Sequence, residues 1–146
     1  MVPLVDSREE TMEILDAVKY PPLGKRGMNY GRGPRWGEYE NYVQQANEAL
    51  STFVQCETAE GVRSIKEITA VPGLTGVFIG SADLSMSLGH PQDLHHRSGR
   101  GLSPGLTACK KQGILAGIAT SSMQEAVLRI RGGLSDRHRH ERPCFF

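Results

Sequence analysis

Two acidic residues, Glu57 and Asp83, stand 26 positions apart, each just past a short apolar run. Glu57 closes the run Thr52-Phe-Val-Gln-Cys56, and Asp83 follows Gly76-Val-Phe-Ile-Gly80 by three residues. Both runs read as buried strands, and their spacing suits one strand–helix–strand step of a parallel sheet. Parallel α/β folds bind ligands at the carboxyl ends of their strands, so the two acids would share one rim. Two carboxylates converging there repel each other unless a cation or a proton separates them. Oxygen donors of this kind suit Mg²⁺ or Mn²⁺. The spacing leaves a plainer role open as well, in which each acid is a helix N-cap or sits in the first turn of a helix.

The elements that must position this pair are legible on both sides. Residues 2–5 form an apolar run too brief to assign as strand or loop. Asp6 or Ser7 can cap a following helix, with Glu9 and Glu10 in its first turn and Met12, Ile14, Leu15 and Val18 at near-helical spacing. Pro21 and Pro22 end it. Residues 23–37 are rich in Gly, Pro, Arg and Asn and read as a long loop, and residues 39–50 return to helical character. Residues 58–68 predict a helix whose apolar face holds Val62, Ile65 and Ile68. After the turn Val71-Pro-Gly73 comes the second strand, and Gly113-Ile-Leu-Ala-Gly-Ile118 followed by a helix over 121–130 repeats the pattern. Strands alternating with helices in this way predict an α/β fold with a parallel sheet and flanking helices.

Composition narrows the class. In 146 residues, 38% are hydrophobic and 23% charged, which fits a folded domain with a real core. The net charge of +1 gives no bulk attraction to nucleic acid, although basic residues cluster at 95–100 and 129–142. No apolar run is long enough to span a bilayer, and MVPLVDSREE lacks the pattern of a secretory signal. Cys56, Cys109 and Cys144 are odd in number without CxxC spacing, so a reducing cytoplasm is the expected compartment. Neither a GxGxxG nor a Walker pattern is present.

Four blocks, VPLVDS, YPPLGKRG, VQCET and GVFIGSADLSMSLG, come in an order and spacing that resemble the HpcH/HpaI aldolase and citrate lyase family. That family includes class II pyruvate aldolases acting on 2-keto-3-deoxy acids. The resemblance implies a partial (β/α)₈ TIM barrel, about strands 4 to 7. It implies that Glu57 and Asp83 hold a divalent cation, with Mg²⁺ or Mn²⁺ first and Co²⁺ as a third option. Gln55 would point into the same site, and the backbone amides around Ser81, Ala82 and Asp83 would receive the carboxylate of a 2-oxo acid such as pyruvate. Ser81 stands where the family has a proline, a mild departure that leaves the loop's donors available. The implied reaction is reversible aldol cleavage of a 4-hydroxy-2-oxo acid to pyruvate and an aldehyde, a carbon–carbon lyase without a lysine Schiff base. Lys25 and Lys66 accordingly read as solvated surface residues. Arg26, Arg35 and Trp36 could contact an anionic substrate or an adjoining subunit, or be solvated.

The family barrel needs roughly 250 residues. Residues 1–133 match its second half, and the early strands that carry the catalytic His and a substrate-binding Arg have no counterpart, so none of the present residues is assigned as the base. His90 reads as a loop residue. Residues 94–106 and the basic tail 134–146 depart from the family pattern. Both can be encoded so that a shifted frame restores it, the tail then reading TAIGTSDLAF; the coding DNA tests this directly. The expectation is a weakly active or inactive portion of an aldolase that forms oligomers. The alternative is a non-catalytic α/β module that assembles with a polypeptide supplying the N-terminal half-barrel.

Overall fold

The structure, a computed structural model, describes residues 1–89, 99–120 and 122–131. His90, residues 94–98 and the tail 134–146 lie outside the described residues. Three strands, β1 (Phe53–Cys56), β2 (Gly76–Ile79) and β3 (Leu115–Ile118), form one sheet in that order. Both pairings are parallel, with Val54 opposite Val77 and Val77 opposite Ala116. The segment before the first helix adds a parallel bridge from Val2 to Val54 on the other side of β1. The run 2–5 that the sequence could not assign therefore lies alongside β1 through a single bridge at Val2.

Alternation along the strands sorts the two faces. Val54, Cys56, Val77 and Ile79 point into a buried cluster with Leu15, Ile65, Ile68, Leu84, Ala108 and Cys109, and Ala116 and Ile118 pack against it. That face is covered by helices α1 (Arg8–Val18), α3 (Ala59–Arg63), α4 (Ile65–Thr69) and α6 (Gly99–Gln112), which pack on one another and, through α6, on β2 and β3. The opposite face carries Phe53, Gln55 and Phe78, all half-buried. Each ring leans over a glycine of the next strand, Phe53 over Gly76 and Phe78 over Gly117, where a Cβ would lie 2.7 and 2.8 Å from the ring.

Local chemistry explains most of the helix bounds. Ser7 caps α1 by accepting from the Glu10 amide at 3.1 Å, and α1 ends two residues before the proline pair. Glu10 in turn accepts from the Asp6 amide at 2.8 Å, a variant of the capping box shifted one residue outward. Past α1 the chain folds back, with the Lys25 amide bonded to the Asp16 carbonyl and the Arg26 amide to the Lys19 carbonyl. The expected loop then contains a 3₁₀ turn at Arg35–Gly37 before α2 (Tyr42–Ala49). Asn47 on α2 pairs both ways with the Tyr20 backbone, at 2.8 and 3.0 Å, and so ties the loop down.

One helix differs from the sequence expectation. The single helix expected over 58–68 is two, α3 and α4, broken at Ser64 with ψ near 0°. The break re-aims the apolar stripe: Ile65 and Ile68 enter the core while Val62 stays at its border. In the atypical stretch 94–106 the helix α6 is already formed from Gly99 and runs through Pro104, which lacks the N–H for one rung. Packing of Ala108 and Cys109 into the core outweighs the poor propensity of its first residues. The last helices are α5 (Ser81–Ser87), between β2 and α6, and α7 (Met123–Arg131) after β3.

Candidate metal centre

Parallel pairing brings Cys56 level with Ile79, so Glu57 and Gly80 follow at the same carboxyl end of adjacent strands. The Gly80 amide continues the ladder by donating to the Cys56 carbonyl at 3.3 Å. Asp83 lies three residues further, in the first turn of α5. The two acids predicted to share a rim do stand at the same end of neighbouring strands.

Their environments differ. Glu57 is 5% exposed. Its Oε1 accepts from Gln55 Nε2 at 2.8 Å, and its Oε2 accepts from the Leu4 amide at 3.1 Å. Its carboxylate crosses to β2 and lies against Gly80 so closely that a side chain there would overlap it. Asp83 is exposed. Ser81 is half-exposed and Ala82 exposed on the same turn. Gln55 therefore meets Glu57 directly, as expected of a residue two positions earlier on the same face. Leu4 and Gly80 were not singled out from sequence. The glycine that ends a strand carried a signal; Leu4 carried none.

The donor set suits a hard cation. Both hydrogen-bond donors to the buried Glu57 carboxylate, the Leu4 amide and Gln55 Nε2, are uncharged, so its hydrogen bonds include no cationic side chain. Each carboxylate oxygen has two lone-pair directions, so one hydrogen bond apiece leaves capacity for a metal. Among the described residues no three His, Cys, Asp or Glu side chains converge as a metal cluster. Two carboxylates, with substrate and water oxygens filling the remaining positions, is an ordinary arrangement for Mg²⁺.

The other sequence candidates lie elsewhere. Lys25 pairs with Asp16 on the surface, and Lys66 is exposed on α4. The Arg26 guanidinium lies 4.5 Å from the centre of the Tyr20 ring, and Arg35 6.0 Å from that of Tyr39, so both are turned to aromatic faces of their own loop. Trp36 is exposed. A cleft of about 680 Å³ opens between this loop and α2, walled by Pro21, Pro22, Tyr30, Tyr39 and Tyr42. Its lining is largely apolar, with Tyr30, Tyr39, Tyr42 and Glu48 among the polar groups, and it includes neither Glu57 nor Asp83. No helix among the described residues is long and apolar enough to cross a membrane.

Comparison with known proteins gives a consistent picture. The family model described as HpcH/HpaI aldolase/citrate lyase matches residues 1–132. The chain is 45% identical over 98 residues to a 2-keto-3-deoxy-L-rhamnonate aldolase of Klebsiella pneumoniae, covering 66% of this chain and 37% of that protein. A solved HpcH/HpaI aldolase/citrate lyase family protein from Burkholderia cenocepacia superposes with a TM-score of 0.85 at 30% identity, over 90% of this chain and 54% of that one. The citrate lyase beta subunit of M. tuberculosis, solved with oxaloacetate and magnesium, shares the fold at a TM-score of 0.59 and 19% identity, over 90% of this chain and 51% of that one. The chain thus spans between about a third and a half of the proteins it matches.

Proposed function

Because the chain belongs to the HpcH/HpaI aldolase/citrate lyase family, we propose that it carries the metal-binding part of a class II pyruvate aldolase. In this reading Glu57 and Asp83 hold a divalent cation, Mg²⁺ or Mn²⁺ with Co²⁺ as a further option. The cation supplies Lewis-acid stabilisation of the enolate formed when the C–C bond of a 4-hydroxy-2-oxo acid breaks. The observation that carries the reading is Glu57: a buried carboxylate at a strand tip, oriented by the Gln55 amide and the Leu4 N–H, with no cationic partner in its hydrogen bonds.

The chain's own residues have separate tasks. Gln55 fixes the Glu57 carboxylate and lines the same face. The backbone amides of Ser81, Ala82 and Asp83 are the receptor for the carboxylate of the 2-oxo acid, pyruvate being the simplest. The strands correspond to about strands 4 to 7 of the family barrel, with the 2–5 segment as the first of them. A general base is not assigned to any described residue, so proton transfer must come from another part of the barrel. Turnover by the 146-residue chain alone is therefore expected to be weak or absent. The unpaired, buried Cys56 and Cys109 suit a reducing cytoplasm.

The test is a calorimetric Mn²⁺ titration of the chain and of its Glu57→Ala and Asp83→Ala variants. Binding by the chain and its loss in both variants supports the reading. No binding by the chain, or binding that survives both changes, ends it.

A second reading is favoured by one observation: Phe53, Gln55 and Phe78, on the face of the sheet away from the core cluster, are only half-buried. There the chain would be a non-catalytic α/β module that assembles with a polypeptide supplying the N-terminal half-barrel. Mixing it with the first half of a full-length relative should then give a stable complex without aldol cleavage. A mixture that forms no complex, or one that gains metal-dependent cleavage, would remove this alternative.

A further inference from the structure

The segment leading into α1 does not keep step with β1. The Val2 amide donates to the Phe53 carbonyl at 2.9 Å and the Val2 carbonyl accepts from the Gln55 amide at 2.8 Å. In an unbroken parallel ladder the next donor to the Gln55 carbonyl would be Leu4. Instead that bond is made by Val5, at 3.1 Å. Leu4 is the extra residue of a bulge, and its backbone is left-handed, with φ at +53°. Such a conformation usually falls to glycine and is strained for leucine. Leu4, 59% exposed, is not part of the core cluster, so packing there does not explain the strain. The amide that the bulge frees from the ladder is the one that donates to Glu57 Oε2 at 3.1 Å.

We infer that Leu4 is a positioning residue: its left-handed bulge exists to turn one backbone N–H onto Glu57, fixing the carboxylate that the proposed function uses as a metal ligand. The physical logic is that of strain held at a working site by surrounding structure. Gln55 Nε2 holds one carboxylate oxygen and the Leu4 amide the other, while Gly80 leaves room for the side chain to lie across β2. A side-chain donor could rotate away; a main-chain N–H locked between Val2 and Val5, both paired to β1, cannot. The metal aspect rests on the reading given above, whereas the hold on Glu57 does not.

Two measurements test it. In the metal-free chain, amide hydrogen exchange should show Leu4 protected, and Glu57→Ala should remove that protection while Val5, bonded to Gln55, stays protected. A Leu4 amide that exchanges freely, or one indifferent to Glu57→Ala, overturns the inference. The second measurement is Mn²⁺ affinity across Leu4→Gly, Leu4→Asn and Leu4→Val, each checked for folding. Gly and Asn accept a left-handed backbone and should bind at least as tightly as the parent. Val resists it and should bind about fivefold more weakly. If Leu4 served packing alone, Val would be the best-tolerated change, and that order would overturn the assignment. If the parent chain takes up no Mn²⁺, the metal reading falls while the exchange experiment still decides the Leu4–Glu57 relationship.

Discussion

The carboxylate of Glu57 lies across the backbone of Gly80: a Cβ placed on that glycine would stand 2.2 Å from Oε1 and 2.5 Å from Cγ. No real side chain tolerates such an approach, and the obstacle is a buried group with little freedom to move. Gly80→Ala should therefore push Glu57 out of its hydrogen bonds, lowering stability by about 1–3 kcal/mol. Mn²⁺ binding should weaken in parallel. Urea unfolding and calorimetry check the two effects, and an alanine variant with parental values in both would show that the carboxylate has another place to go.

Gln55→Leu should expose the dependence of Glu57 on its side-chain donor. Removing Nε2 leaves a buried carboxylate oxygen without a donor, which costs about 1–3 kcal/mol in the metal-free chain. A given Mn²⁺ concentration should raise the stability of this variant less than that of the parent, because a carboxylate no longer held by Gln55 binds the cation more weakly. Melting temperatures with and without Mn²⁺ give both numbers.

Burial pushes the Cys56 thiol up to about 12 and the Cys109 thiol up to about 11, from an ordinary value of 9.0. The folded chain therefore keeps protons that the unfolded chain releases between pH 9.0 and about 12. Stability from this source is complete below pH 9.0 and declines as the pH rises through that window. Unfolding free energies measured from pH 8 upward should fall, and Cys56→Ala should flatten the slope even though it lowers the overall value. A slope unchanged by that substitution would assign the alkaline loss to other groups.

Asn47→Ala should loosen the loop that follows α1. It strips partners from the Tyr20 N–H and C=O together, both next to a buried ring, at a cost of about 2–4 kcal/mol. Fast amide exchange at Tyr20, with β1 still protected, would confirm that the damage is local.

How much of this was legible beforehand can be judged residue by residue. The run Gly76-Val-Phe-Ile-Gly80 has no polar residue to solvate either face, so a buried parallel strand was the natural reading, and Asp6 or Ser7 announced the helix that follows by side-chain chemistry alone. The division at Ser64 was not legible, because Val62, Ile65 and Ile68 keep helical spacing whether or not the backbone turns between them. Nor was the formation of α6 from Gly99 through Pro104, where core contacts of later residues override local preference.

Sequence by itself determined the class of fold, the family and the identity of the two rim acids, since these depend on residue type and on spacing along the chain. Tertiary structure alone decided that Glu57 is buried while Asp83 is exposed, and that Leu4 and Gly80 shape the carboxylate's seat. The reason is distance along the chain. Leu4 meets Glu57 across 53 positions, through a backbone N–H that every residue but proline possesses. A contact made by main chain leaves no mark in the side-chain alphabet, and only the folded register reveals which amide has been set free to make it.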